Sequence, residues 1–265
     1  MEKTRIDLIN AFKKANKQRR RLMAAKNGFK TPEEYLTSLL TLNKSTQTPT
    51  KTHKTKVSKM KGTFYIIDIL DATGSMDGGK YNNSKEGIIA GIKDLASRKD
   101  VKYSFVEFIE LRKALNKPLT DIIPSDVKTS DIRFSGAIGG NTPLYKTVYE
   151  VIKGINVSKD DKVLINVYTD GGNNTAYEYT EMAAKLLKDV QKDNFTVTFV
   201  ATSEDLARIK KDINIDDSNT FATANTAEGF KMSMSATRGA RTNYFMSAEV
   251  GTDVLKGFYK KEGVL

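Results

Sequence analysis

The chain has 265 residues, 39% hydrophobic and 28% charged, a composition typical of a globular protein with room for one sizeable domain. It has no cysteine, which excludes disulfides and thiolate metal sites, and no apolar run long enough to span a membrane. The net charge of +11 arises before residue 63, because residues 1–62 carry 16 Lys/Arg and 4 Asp/Glu whereas the rest carries 27 and 28. This asymmetry divides the chain into a basic N-terminal part and a nearly neutral remainder.

The basic part is predicted to form a helical arm over residues 1–43, followed by a flexible linker over residues 44–62. Residues 4–27 carry a short apolar stripe and then clustered lysines and arginines, a pattern that favours a helix. A second helix is predicted from Thr31, where the sequence Thr-Pro-Glu-Glu is typical of a capped helix start. The linker is mainly Thr, Lys and Ser and cannot bury enough apolar surface to offset the entropy of ordering.

From residue 63, predicted strands alternate with predicted helices, which favours a doubly wound α/β domain with a mainly parallel sheet and helices on both faces. We expect this domain to cover residues 63–250 and a loosely packed C-terminal tail to cover residues 251–265. The predicted strands are Phe64–Leu70, Val101–Ile109, Lys162–Thr169, Phe195–Ala201 and Thr220–Ala224, with a short extended segment around Asp131–Phe134. The predicted helices are Ser84–Arg98, Pro143–Ile152, Tyr179–Lys192, Glu204–Lys211 and Ala227–Ser247.

Polar side chains follow the first predicted strand. Asp71, Thr73 and Ser75 alternate along the loop, so in an extended backbone all three can point at one spot. Hard oxygen ligands of this kind suit magnesium, calcium or manganese rather than zinc or copper. Taken alone, this pattern is more often a plain turn with Asx-type hydrogen bonds. Its meaning therefore depends on the loops that follow the other strands, because ligands in such folds bind outside the carboxyl ends of the strands.

Two later segments accompany this loop at corresponding places in the predicted fold. One precedes a helix and reads Gly139-Gly140-Asn141-Thr142-Pro143, and the other follows a strand and reads Thr169-Asp170-Gly171-Gly172. Together the three segments resemble, in order and spacing, the metal-ion-dependent adhesion site of von Willebrand factor A domains. The resemblance covers residue 63 to about residue 247 and implies the Rossmann-like fold of that family.

The resemblance also implies a ligand set for a divalent cation, Mg²⁺ first and Ca²⁺ or Mn²⁺ as alternatives. Thr73 and Ser75 would bind the cation directly, and Asp71 directly or through water. Thr142 would supply another hydroxyl, and Asp170 a carboxylate, commonly through water. In this family a coordination position stays open for an acidic residue of a partner protein. We therefore expect a metal-dependent protein-interaction module and not an enzyme.

Two residues depart from the family pattern. Thr73 stands where the family usually has Ser, which keeps the hydroxyl and adds a methyl group. Asp68 puts a charge into the central strand, where an apolar residue is expected, and it requires either a buried partner or exposure at the strand end.

Enzymatic alternatives have weaker support. Residues 74–80 match the pattern Gly-x-x-x-x-Gly-Lys of a phosphate cradle, which suggests a P-loop-like NTPase as an alternative. However, Tyr81 stands where Ser or Thr should meet magnesium, and Asp77 would place a negative charge beside the phosphates. The chain's single histidine, His53, lies in the predicted linker, so no histidine-based triad or proton relay is expected in the domain.

The basic arm suggests a further class of function. It can attract phosphate backbones or an acidic protein surface with strong salt sensitivity, so a nucleic-acid-associated factor is the main alternative. Docking on another protein, or no specific role beyond solubility, would also account for it. We expect a cytoplasmic setting or a virion, and a phage or bacterial assembly protein would suit the organisation by analogy.

Overall fold

The computed structural model describes residue 31 and residues 62–109, 119–128, 132–137, 139–190, 194–249 and 257–259. The predictions for the helical arm, for the linker as far as residue 61, for His53 and for most of the C-terminal tail lie outside the described residues.

Strands and helices alternate along the described chain, as the sequence predicts. The strands are β1 (Phe64–Asp71), β2 (Val101–Phe108), β3 (Leu119–Ile122), β4 (Lys162–Tyr168), β5 (Phe195–Ala201) and β6 (Thr220–Ala222). The helices are α1 (Lys80–Leu95), α2 (Leu144–Gly154), α3 (Tyr179–Val190), α4 (Ser203–Ile213) and α5 (Ala227–Glu249). The five predicted strands and the five predicted helices are all present over the described residues, with their ends shifted by a few residues. The described part of the predicted extended segment, residues 132–134, forms no strand. The edge strand β3 is not predicted from the sequence.

The six strands form one sheet in the order β3-β2-β1-β4-β5-β6. All neighbouring pairs are parallel except β3, which runs antiparallel to β2 at the edge. The predicted doubly wound, mainly parallel fold is thereby confirmed. The chain leaves β1 towards one edge of the sheet and leaves β4 towards the other, so the crevice between their carboxyl ends is the place where such folds bind ligands.

Helices cover both faces of the sheet, as continuously apolar strands require. On one face, α1 and α5 pack on the strands with the buried side chains of Ile88, Leu95, Phe230, Met234 and Phe245. On the other face, α2, α3 and α4 do so with Leu144, Val148, Leu187, Leu206 and Ile209. None of the described helices is long and apolar enough to cross a membrane.

The described part of the tail, residues 257–259, packs on the domain, contrary to the expected loose packing. Phe258 is 6% exposed and joins the core under α1 and α5. Its backbone N–H donates a hydrogen bond to Asn219 Oδ1 at 3.2 Å. Removing this aromatic side chain from water favours the packing of the stretch on the domain.

The charge in the central strand has a buried partner. Asp68 is 1% exposed and pairs with Arg241 of α5, which is 4% exposed, across 3.0 Å. The carboxylate also accepts hydrogen bonds from Tyr103 Oη and Asn166 Nδ2, both at 2.8 Å. Burial opposes the charge of Arg241, but the Asp68 carboxylate outweighs it and raises the pKa of the guanidinium. Of the two explanations that the sequence leaves open for Asp68, the buried partner is the one observed.

Candidate metal centre

The predicted ligands lie at the topological switch of the sheet. Asp71 is the last residue of β1, and Asp170 follows β4 by two residues. Leu70 and Tyr168 are register partners on these adjacent parallel strands, so the two loops emerge side by side. The sequence predicts that both carboxylates lie at the carboxyl ends of strands, on the same side of the sheet, and the observed strand order is consistent with this.

Asp71 is a fully buried carboxylate held by two hydrogen bonds. Its Oδ1 accepts from the backbone N–H of Thr73 at 2.8 Å, and its Oδ2 accepts from Thr169 Oγ1 at 2.6 Å. Burial raises the pKa of Asp71 to about 6, although both hydrogen bonds act in the opposite direction. Among the described residues, no Lys or Arg forms an ion pair with this carboxylate. A cation bound beside it would relieve the cost of burying its charge.

The hydroxyls of the first loop connect the two carboxylate-bearing segments. Thr73 Oγ1 and Ser75 Oγ are hydrogen-bonded to each other at 3.0 Å. Ser75 Oγ in turn donates to Asp170 Oδ1 at 2.6 Å. Residues 74–76 form one turn of 3-10 helix, and the buried side chain of Met76 anchors this turn in the core. Four of the five predicted ligands thus belong to one hydrogen-bonded group, which Asp71 joins through the backbone N–H of Thr73.

Thr142, the fifth predicted ligand, is fastened to the loop that follows Asp170. Its N–H donates to Asn174 Oδ1 at 2.6 Å, and its carbonyl accepts from the Asn174 N–H at 3.2 Å. The neighbouring Asn173 accepts a hydrogen bond from the Tyr145 N–H at the start of α2, at 3.3 Å. Thr142 itself is buried, with 4% of its surface exposed. The second and third loops are therefore joined through their backbones and the two asparagines.

Lys80 enters the site as a partner of Asp170, a contact that the sequence does not predict. Gly78 and Gly79 have positive φ angles of 72° and 90°, a conformation that favours glycine, and they lead into α1 with Lys80 as its first residue. The Lys80 ammonium forms an ion pair with Asp170 Oδ2 and donates to Asn225 Oδ1 at 2.8 Å. The two carboxylate oxygens of Asp170 therefore have different partners, Ser75 on one side and Lys80 on the other.

The first turn of α1 also fastens the segment that leads towards Thr142. Tyr81 Oη donates a hydrogen bond to Glu107 Oε1 and accepts one from the Gly136 N–H at 3.0 Å. The other carboxylate oxygen of Glu107 accepts from the N–H and the hydroxyl of Ser135, at 2.9 and 2.7 Å. Tyr81, which the phosphate-cradle reading treats as a mismatch, thus has a positioning role. Local sequence gives no signal for it, because its partners lie 26 and 55 residues away.

The donor set fits a hard cation. It offers carboxylate and hydroxyl oxygens and no sulfur or imidazole, which suits Mg²⁺, Ca²⁺ or Mn²⁺ rather than Zn²⁺ or Cu²⁺. Adjacent ligands of octahedral Mg²⁺ lie about 3 Å apart, given bonds of about 2.1 Å. The hydroxyl oxygens of Thr73 and Ser75, which are hydrogen-bonded to each other, are separated by 3.0 Å, so they are close enough to bind one such ion together. The described residues contain no group of three or more His, Cys, Asp or Glu suited to a metal, so a cation would depend on hydroxyls and water besides the two carboxylates.

No protein-family model matches the sequence, and no curated protein matches it. Solved structures with a similar fold include proximal thread matrix protein 1 from the mussel byssus, at 17% identity and a TM-score of 0.49 over 67% of this chain and 47% of that one. BatB from Bacteroides thetaiotaomicron is similar at 14% identity and a TM-score of 0.41, over 68% of this chain and 98% of that one. The PilB minor pilin from Streptococcus sanguinis is similar at 11% identity and 0.47, over 67% and 61%. The chain thus spans about half the length of the mussel protein.

Proposed function

We propose that this chain is a protein-interaction module that holds a divalent cation, Mg²⁺ in the first place, and uses it to capture an acidic side chain of a partner protein. The observation that carries the proposal is the connected group of Asp71, Thr73, Ser75 and Asp170 at the carboxyl ends of two adjacent strands. Thr142 is the fifth proposed ligand. Its segment is hydrogen-bonded to the loop that follows Asp170.

The chemistry of the group supports capture of an anion rather than catalysis. Two carboxylates balance the charge of a dication, while the neutral hydroxyls of Thr73 and Ser75 leave it electrophilic. Mg²⁺ commonly keeps several waters, so a carboxylate from another protein can replace one of them. Ser75 is exposed, which puts the open side of the site at the protein surface. The site's described side chains include no histidine or cysteine to act as a base or nucleophile.

The test is metal binding and partner capture by the full chain, with Asp170→Asn as the variant. Asp170→Asn keeps the shape of the side chain but removes a charge, and we expect it to weaken Mn²⁺ binding in calorimetric titration by at least about tenfold, or about 1.4 kcal/mol. Capture of partners from a native lysate should fail with this variant and with EDTA. Asp160→Ala is the matched control, because Asp160 is exposed and lies just before the amino end of β4, whereas the proposed site lies at its carboxyl end. Unchanged Mn²⁺ affinity in Asp170→Asn would reject the proposal.

The excess of basic residues before residue 63 supports a second candidate, a nucleic-acid-associated factor that binds through this segment. Deleting residues 1–62 should then abolish binding to a mixed-sequence DNA or RNA, and affinity for the intact chain should fall steeply with salt. Binding that survives the deletion would reject this candidate.

Nucleotide hydrolysis is a less favoured proposal, because the Lys80 ammonium is engaged by Asp170 and Asn225. The cytoplasmic or virion setting stays a prediction.

A further inference from the structure

Lys80 is a cation that the chain itself supplies to the proposed metal centre. Its ammonium contacts Asp170 Oδ2 and Asn225 Oδ1, and its side chain is only 12% exposed. The Asp170 side chain is 1% exposed, so the ion pair is largely withdrawn from water. An ion pair in such surroundings is screened less by salt than a surface pair. The Lys80 ammonium therefore balances the negative charge of the Asp170 carboxylate when no external cation is bound.

An ammonium and a divalent cation compete for the same carboxylate. Charges of +1 and +2 about 4 Å apart repel each other strongly wherever water is scarce, by Coulomb's law. A dication that draws on Asp170 must therefore loosen the contact between Lys80 and Oδ2. The amide oxygen of Asn225 already accepts a hydrogen bond from Lys80 at 2.8 Å, so the ammonium has a neutral partner that it can retain.

We propose that Lys80 is an internal competitor of the divalent cation and sets the concentration at which the site loads. This inference rests on the proposed metal-binding function and deepens it. With Lys80 in place, the site binds a dication only when its concentration is high enough to take Asp170 from the ammonium. Removing the positive charge leaves Asp170 available and lowers that threshold. Lys80 is then a residue that determines cation affinity without contacting the cation.

The test compares Mn²⁺ binding by the full-length wild type, Lys80→Met and Lys80→Gln. Methionine removes both the charge and the hydrogen bonds, whereas glutamine removes the charge and can still hydrogen-bond. Lys93→Met is the matched control, because Lys93 is an exposed lysine of the same helix. We expect both Lys80 variants to bind Mn²⁺ at least about tenfold more tightly than the wild type, as judged by calorimetry, with Lys93→Met unchanged. The melting temperature should also rise more on adding Mg²⁺ in the Lys80 variants than in the wild type.

The outcomes separate this inference from the proposed function. Tighter binding in a Lys80 variant that folds, as judged by circular dichroism, supports the competitor role. Equal or weaker binding in such a variant, with a wild type that binds Mn²⁺, overturns the inference and leaves the metal site standing. Absence of Mn²⁺ binding in the wild type and in every variant overturns both. If Lys80→Met does not fold, Lys80→Gln decides the matter.

Discussion

The ion pair between Asp68 and Arg241 gives the sharpest test of how the core is held together. Arg241→Met keeps much of the side-chain volume but leaves the Asp68 carboxylate buried without its counterion. Removing one partner of a buried pair costs about 3–5 kcal/mol. For a domain of this size, a change of that magnitude lowers the melting temperature by about 6–20 °C. Both partners are at most 4% exposed, so water cannot replace the missing charge.

The assay is urea unfolding of the full chain, with a control that the structure provides on the same helix. Arg238 lies one turn before Arg241 and pairs with Asp94 at 2.6 Å, but both side chains are at least 36% exposed. Breaking such an exposed pair by Arg238→Met should cost no more than about 1 kcal/mol. The double variant Asp68→Asn/Arg241→Met removes both charges. Its loss of unfolding free energy should be smaller than the sum of the losses in the two single variants. An Arg241→Met variant as stable as Arg238→Met would refute the reasoning.

Two further predictions concern the metal centre and the helix packing. Burial raises the pKa of Asp71 to about 6, so at lower pH its carboxyl group is protonated and cannot serve as a ligand. The affinity for Mn²⁺, measured by calorimetry, should therefore rise between pH 5 and pH 7. An affinity that does not change over this range would contradict the prediction. In α1, a Cβ at Gly87 would lie 2.5 Å from a methionine side chain of α5, so Gly87→Ala should cost about 1–3 kcal/mol in chemical denaturation. Gly239 in α5 has nothing within 4 Å of its Cβ position, and Gly239→Ala should stabilise by about 0.5–1 kcal/mol; equal effects at the two sites would disprove the packing argument.

The contacts of α1 link the stability of the fold to the proposed site. Its first residue reaches Asp170, its second reaches Glu107, and Asn83 Nδ2 donates to the carbonyl of Ala227 at 2.6 Å. The helix therefore ties together the loop that follows β4, the last residues of β2 and the start of α5. A cation that loosens Lys80 from Asp170 would change one of these ties and leave the other two in place.

Much of the fold could be predicted because its signals are local. Continuous apolar runs such as Phe64–Leu70 mark buried parallel strands, and alternation with amphipathic helices marks a doubly wound sheet. The edge strand β3 escaped prediction, because four residues that include a charged Asp121 carry too short a pattern. The polar residues at the carboxyl ends of β1 and β4 can be read directly from the sequence, but their interpretation as metal ligands rests on the resemblance of the three segments to the adhesion site of von Willebrand factor A domains.

The order of residues is sufficient to predict which segments become strands, where the oxygen-bearing side chains stand in their loops, and where the charge of the chain is concentrated. The folded domain is needed to see that β1 lies beside β4, that Lys80 contacts Asp170 across 90 residues, and that Arg241 contacts Asp68 across 173. The physical reason is that apolar patterns and turn residues record how each residue is buried locally. They do not record which distant strand or helix supplies the neighbour, and a charged side chain has the same local signature whether it ends in solvent or on a buried carboxylate.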